Sequence, residues 1–195
     1  YQMLLSGGAL DRLGISPGTT IDAIEFEKAS AGATLSPGKL EVWVKQTTDT
    51  SYPSDSKSTW AAVKAGATNV FSSTAFSIPA GNGFVPLGPF TTPFTTDGTS
   101  IALGIWADLS GVTTTSTIDW ATYPATLKAR LLGSTSAIDD SRELTANSQS
   151  FNKLPNARLT FTRPSGAHLQ LLSGLQPLER DAFYDSSPSM AAATQ

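Results

Sequence analysis

What most constrains this chain is a two-residue alternation of apolar and polar side chains, confined to short segments that glycine and proline close off. In residues 39–46, Leu40, Val42 and Val44 fall on one face while Glu41, Trp43 and Lys45 fall on the other, as in a strand with one face in a core and one in water. Residues 100–107 set Ile101, Leu103 and Ile105 together, and residues 126–132 set Leu127, Ala129 and Leu131 opposite Lys128 and Arg130. Further strands are expected over 2–5, 20–28, 69–78, 83–87 and 157–162. Within 20–28 the phase changes between Ile21/Ala23 and Ile24/Phe26, which predicts a β-bulge or a strand covered on both faces. Helical periodicity is nearly missing. Ser16-Pro17-Gly18, Ser36-Pro37-Gly38, Pro79-Ala80-Gly81-Asn82-Gly83 and Thr96-Asp97-Gly98 supply turn chemistry between the strands. The expected fold is therefore all-β, a two-sheet antiparallel sandwich of jelly-roll-like topology over residues 1–163.

Residues 164–195 read differently. Leu169, Leu171, Leu172, Leu175 and Leu178, with Phe183 and Tyr184, are too apolar for a free tail, while Gly174 and Pro177 forbid one continuous helix. An irregular, partly helical tail is expected, packing on the domain or on a neighbouring subunit through those seven residues.

At 195 residues the chain can bury roughly 70% of its unfolded surface in one core. It has no cysteine, so neither disulfides nor thiolate metal sites contribute. Only 15% of residues are charged, against about 25% in average soluble domains, and Thr, Ser, Ala and Gly take their place. A surface solvated by hydroxyls points to the cell exterior, with a virion as the other setting. The 13 basic residues are scattered singly under a net charge of -3, which argues against nucleic acid as a partner. No apolar run approaches the roughly 18 residues of a membrane span. Opening on Tyr1 rather than Met, the chain is expected to be a processed product or fragment whose export signal lay upstream.

The residues available for catalysis are few. A serine triad needs an imidazole, and the only histidine is His168, without a G-x-S-x-G elbow. Zinc catalysis needs about three protein ligands. Glu25 and Glu27 lie two apart on one strand face, which is permissive for a glycoside-hydrolase pair and equally ordinary for a solvated face. The expectation is no enzyme and no cofactor, with a structural calcium left open because Asp49, Asp55, Asp97, Asp108 and the pair Asp139-Asp140 lie near loops. Trp43, Trp60 and Trp120 form the alternative site, a carbohydrate-binding platform of flat rings for a polysaccharide, against the plainer reading that they anchor core ends and loops.

The order of segments resembles a known family. The runs 10–26 (LDRLGISPGTTIDAIEF), 40–48 (LEVWVKQTT), 60–71, 88–108 (GPFTTPFTTDGTSIALGIWAD) and 152–161 (NKLPNARLTF) are similar to the jelly-roll-like modules of large surface and secreted proteins of Bacteroidetes-type bacteria, which often carry a type IX secretion signal. A P-F-x-Y-D-G-T element before a central strand corresponds to Pro93-Phe94-Thr95-Thr96-Asp97-Gly98-Thr99, and a closing P-N-x-R-x-x-F element to Pro155-Asn156-Ala157-Arg158-Leu159-Thr160-Phe161. The resemblance implies an extracellular adhesive or structural module, partnered by copies of itself or by neighbouring surface domains, and carries no catalytic residue across. The leucine-rich tail departs from the family pattern and leaves room for a self-assembling subunit of a filament or virion.

Overall fold

The computed structural model describes residues 2–52, 57–108, 111–124, 130–131, 140–141, 143–145, 153–164 and 168–173. In chain order the elements are β1 (Gln2–Leu5), α1 (Gly7–Arg12), β2 (Thr20–Lys28), β3 (Gly38–Thr47), β4 (Lys57–Thr59), α2 (Trp60–Lys64), β5 (Thr68–Phe76), β6 (Gly83–Pro86), β7 (Phe94–Thr95), β8 (Ser100–Asp108), β9 (Thr122–Pro124), β10 (Arg130–Leu131), β11 (Glu143–Thr145), β12 (Lys153–Pro155), β13 (Ala157–Thr162) and β14 (His168–Ser173).

Two antiparallel sheets carry the fold. The first runs β10-β1-β8-β3-β5, and the second runs β14-β13-β2-β6 with β7 also paired to β2. The ribbons β4–β11 and β9–β12 stand beside them. Leu5, Val44, Ile101 and Leu103 of the first sheet meet Ile21, Ile24 and Leu159 of the second around a small packing gap that Phe90 also lines. The sandwich expected from the alternation is the sandwich observed. No helix of the described residues is long and apolar enough to cross a membrane.

The alternation does the work predicted for it. Leu40, Val42 and Val44 of β3 are 1%, 0% and 2% exposed, while Lys39 is exposed and Glu41, Trp43 and Lys45 are half-buried. In β2 the predicted phase change is a true bulge. Thr160 of β13 pairs with Ala23 and Phe161 with Ile21, so Asp22 is the extra residue. That single insertion returns Ile24 and Phe26 to the core face after Ile21.

β8 is the central strand of the first sheet, and it is buried on both faces from Ser100 to Ile105. Its large residues, Ile101, Leu103 and Ile105, point into the sandwich, and its small ones, Ala102 and Gly104, lie on the outer face. There α2 seats. A Cβ at Gly104 would stand 2.4 Å from Val63 Cγ1 and 3.5 Å from the Trp60 ring, so the helix rests where the strand has no side chain. Thr59 caps α2 by accepting from Ala62 N at 3.2 Å, and Ser6 caps α1 by accepting from Ala9 N at 3.3 Å. Each helix is too short to show a period in sequence, and both lie outside the expected strand set.

The tail also differs from expectation over part of its length. His168–Ser173 is a strand, paired residue by residue with β13 from Thr162↔His168 to Ala157↔Ser173. The sheet therefore continues past residue 163, and this part of the tail lies on the domain as a strand rather than as an irregular segment. Leu171 and Leu172 stand side by side, which breaks the alternation and hides the strand.

Gly104→Ala is expected to cost about 1–3 kcal/mol by overpacking against α2. Val63→Ala in the same chain should recover part of that loss, because the two sites touch. Urea denaturation of the four members of the cycle measures both.

Candidate functional site

On the outer face of the first sheet, Trp43 donates from Nε1 to Glu41 Oε2 at 2.9 Å, and Lys64 Nζ lies 5.9 Å from its ring centroid. Lys45 reaches the end of α2, donating to Ala62 O at 2.8 Å and Ala65 O at 3.2 Å. Burial lowers the Lys45 pKa, and Asp49 offsets part of that. Trp60 is 4% exposed and belongs to the core. Trp120 is half-buried and packs edge-on against Phe26 of the second sheet, centroids 6.3 Å apart. The three tryptophans therefore do not line up as one platform, and the buried Trp60 ring corrects the expectation of a sugar-facing side chain.

The outer face of the second sheet carries a ladder of cross-strand polar pairs. Arg158 of β13 forms an ion pair with Glu25 of β2 and stacks over the Phe84 ring at 4.6 Å. The hydrogen bond to Glu25 is the main cause of a raised Arg158 pKa. Asn156 Nδ2 donates to Glu27 at 2.7 Å, and Thr162 Oγ1 donates to Asp22 at 2.8 Å. Glu25 and Glu27, the pair considered for glycoside hydrolysis, are each held by a partner from the neighbouring segment.

The loop aspartates are likewise engaged. Asp49 accepts from Thr47 Oγ1 at 3.0 Å, and Asp140 pairs with Lys64. Asp97 accepts from the Thr99 amide at 2.8 Å and the Thr99 hydroxyl at 2.6 Å. Those bonds hold the Asp97 pKa below the usual range. Among the described residues no three His, Cys, Asp or Glu side chains gather as a metal site. Asp55 and Asp139 lie outside the described residues.

The feature that pattern reading did not single out is the edge of the first sheet. β5 ends the strand order, and its nine residues, TNVFSSTAF, include neither charge nor proline. Charge and proline are two of the devices that blunt natural edges, and β5 carries register irregularities instead, opposite Val42/Trp43 and between Ser73 and Phe76. Its N-terminal half is covered: Val70 O accepts from Thr91 N at 2.8 Å and Thr91 Oγ1 at 3.2 Å. From Phe71 to Phe76 no such cover exists among the described residues, and Ser72, Thr74 and Ala75 are exposed. Ala75 N turns back to Ser73 Oγ at 3.1 Å. The sequence did carry a signal for this edge, since apolar alternation fades into Ser-Ser-Thr-Ala without a lysine.

Of the residues expected to make an assembly contact, Leu169, Leu171 and Leu172 lie in β14, the opposite end strand of the second sheet. Leu175, Leu178, Phe183 and Tyr184 lie outside the described residues. In comparisons with known proteins, no family model, no curated protein and no solved structure matches the chain.

Two measurements follow from the electrostatics. Replacing Glu25 by Gln and Arg158 by Met, singly and together, should reveal a coupling of about 0.5–1 kcal/mol, given that the two side chains are 16% and 30% exposed. Tyr52 is 8% exposed, and its hydroxyl has no hydrogen-bond partner among the described residues. Burial, aided by Asp49, raises its pKa. An unfolded tyrosine ionises near pH 10 while the folded one stays neutral, so its contribution holds below about pH 10 and falls away above it. Tyr52→Phe should leave stability equal or slightly greater at about pH 7 and soften the loss at about pH 11, read from urea midpoints.

Proposed function

We propose that this chain is a non-enzymatic structural or adhesive β-sandwich module of the cell exterior, and that it joins a second copy of itself through the open half of β5. The observation that carries this reading is the uncharged, proline-free edge from Phe71 to Phe76 at the end of a five-stranded sheet. Unpaired strand edges add a further strand by main-chain hydrogen bonds. A copy is the partner that such an edge suits best, because neither side brings a charge to the contact. An antiparallel two-fold pairing centred on Ser73 sets Ser72 opposite Thr74 of the second copy and Phe71 opposite its Ala75. Small hydroxyls then meet small hydroxyls, and one patch serves both sides. The low charge content of the chain and its likeness to surface modules of Bacteroidetes-type bacteria support the exterior setting.

Sedimentation of the full chain should show a concentration-dependent dimer. Thr74→Lys, which sets a charge opposite Ser72 of the second copy and brings the two introduced lysines diagonally across the pairing centre, should return it to monomer with an unchanged circular dichroism spectrum. Ser72→Lys, at the exposed position opposite Thr74 of the second copy, should do the same. A wild type that stays monomeric at every attainable concentration overturns the proposal, and so does a dimer that survives both substitutions.

A further inference from the structure

The turn into β6 holds the one Asn-Gly pair of the chain, Asn82-Gly83. We infer that this pair is a site of spontaneous covalent modification, in which Asn82 deamidates through a cyclic imide and becomes a mixture of aspartate and isoaspartate.

The chemistry needs the amide nitrogen of the following residue to reach the side-chain carbonyl carbon, and three observations favour it here. Asn82 is exposed, and no hydrogen bond to another described residue holds its side chain. The residue that follows has no Cβ to hinder the approach. Gly81 and Gly83 flank it at φ +83° and +125°, so the segment already uses backbone conformations that only glycine adopts freely. Gly83 is the last register partner on β6, opposite Lys28. Leu87 N donates to Ile24 O at 2.8 Å, and strand alternation then aims the Gly83 amide at β2 as well. Attack therefore requires only the terminal rung of the ladder to open, an event at the low end of local unfolding free energies.

In the reaction Gly83 N loses its proton and bonds to Asn82 Cγ, and the Cγ–Nδ2 bond breaks so that the nitrogen leaves as ammonia. Solvent water then opens the imide at either carbonyl. One product restores the original main chain with a carboxylate at position 82. The other routes the main chain through the former side chain and lengthens it by one carbon.

The contrast with Asp97-Gly98, the analogous turn before β8, sharpens the assignment. There the Gly98 amide donates to Thr96 Oγ1 at 3.0 Å, and the Asp97 carboxylate is held by Thr99. An ionised, doubly held carboxylate is a poor electrophile, so that turn is protected while Asn82-Gly83 is not. Asn69 and Asn156 are held as well, by Ser72 and Glu27 respectively.

The modification would fall beside a sensitive joint. Pro79 O is one of two carbonyls that receive the buried Lys28 ammonium, and Gly81 N donates to Ala31 O at 3.3 Å. A lengthened main chain at position 82 pulls on both.

The test is to age the folded full-length protein at mildly alkaline pH beside a synthetic peptide of residues 78–88, and to follow both by peptide mass spectrometry and by an isoaspartyl methyltransferase assay. The peptide spanning Asn82 in the folded protein should gain the mass of an amide-to-acid change, several-fold more slowly than the free peptide, and should become a methyl acceptor. Asn82→Gln should abolish both signals, and aged wild type should melt below fresh wild type while aged Asn82→Gln does not. The inference is overturned if the free peptide converts and the folded protein does not, or if conversion in the folded protein falls on Asn69 or Asn156 instead.

Discussion

The sandwich depends on the division of large and small side chains across β8. Isoleucine and leucine at 101, 103 and 105 fill the space between the sheets, and alanine and glycine at 102 and 104 leave the outer face low enough for α2 to lie on it. A strand with bulky residues on both faces would have lifted the helix and exposed Val63 and Trp60, which are 2% and 4% exposed as the chain folds. With no disulfide to hold the layers, their cohesion comes from apolar burial on either side of this one strand, at roughly 25 cal/mol per Å². The first sheet is thus a packed middle layer at its centre, while the second keeps a polar outer face.

Where the sequence was legible, it was so for a reason that can be traced in each element. β1, β2 and β13 have the bounds that alternation assigned them, and the bulge at Asp22 was written in the phase change of its neighbours. Period-two patterning reports burial directly, so strands with one wet face declare themselves. α2 could not do so, because five residues make barely more than one helical turn. β14 was hidden by the adjacent Leu171 and Leu172. The edge position of β5 was hidden for a different cause: alternation tells which face of a strand is buried and is silent on which neighbour it pairs with. The tryptophans show the same limit, since an aromatic at a wet register position can still be roofed by an element from elsewhere in the chain, as Trp43 is by Lys64.

Lys28 is buried among backbone carbonyls. Its position at the end of β2 suggests a solvated strand terminus, yet it is 1% exposed, and its ammonium donates to the carbonyls of Gly32 and Pro79. Burying a cation among neutral groups is unfavourable unless its donors are met. Here the carbonyls that meet them come from two separate loops. The segment after β2 is stitched onward to residues 113–119 by Ala29 N to Asp119 O at 2.8 Å and Leu35 N to Thr113 O at 2.8 Å. A Cβ at Gly32 would stand 2.4 Å from Thr117 O. Glycine permits the close approach and lysine ties its carbonyl down, so a charge enclosed in backbone dipoles helps to set one end of the sandwich, beside the packing of Trp120 on Phe26.

The ends of the two sheets solve the edge problem in unequal ways. On the second sheet, β6 is four residues long and finishes on Pro86, which has no amide proton to offer. On the first sheet, β10 is two residues long. β5 is more than twice the length of β6 and carries two register irregularities, one opposite Val42 and Trp43 and one between Ser73 and Phe76 opposite Leu40 and Gly38, with Thr91 covering Val70. The first irregularity and the Thr91 cover act on its N-terminal half, and the second bends the strand beyond Ser73. Between Phe71 and Phe76 no described residue covers the strand, and it gives up the large apolar side chains that would make it sticky, retaining hydroxyls and alanine. That combination disfavours indiscriminate aggregation, which feeds on exposed apolar area, and preserves main-chain pairing, which feeds on geometry alone.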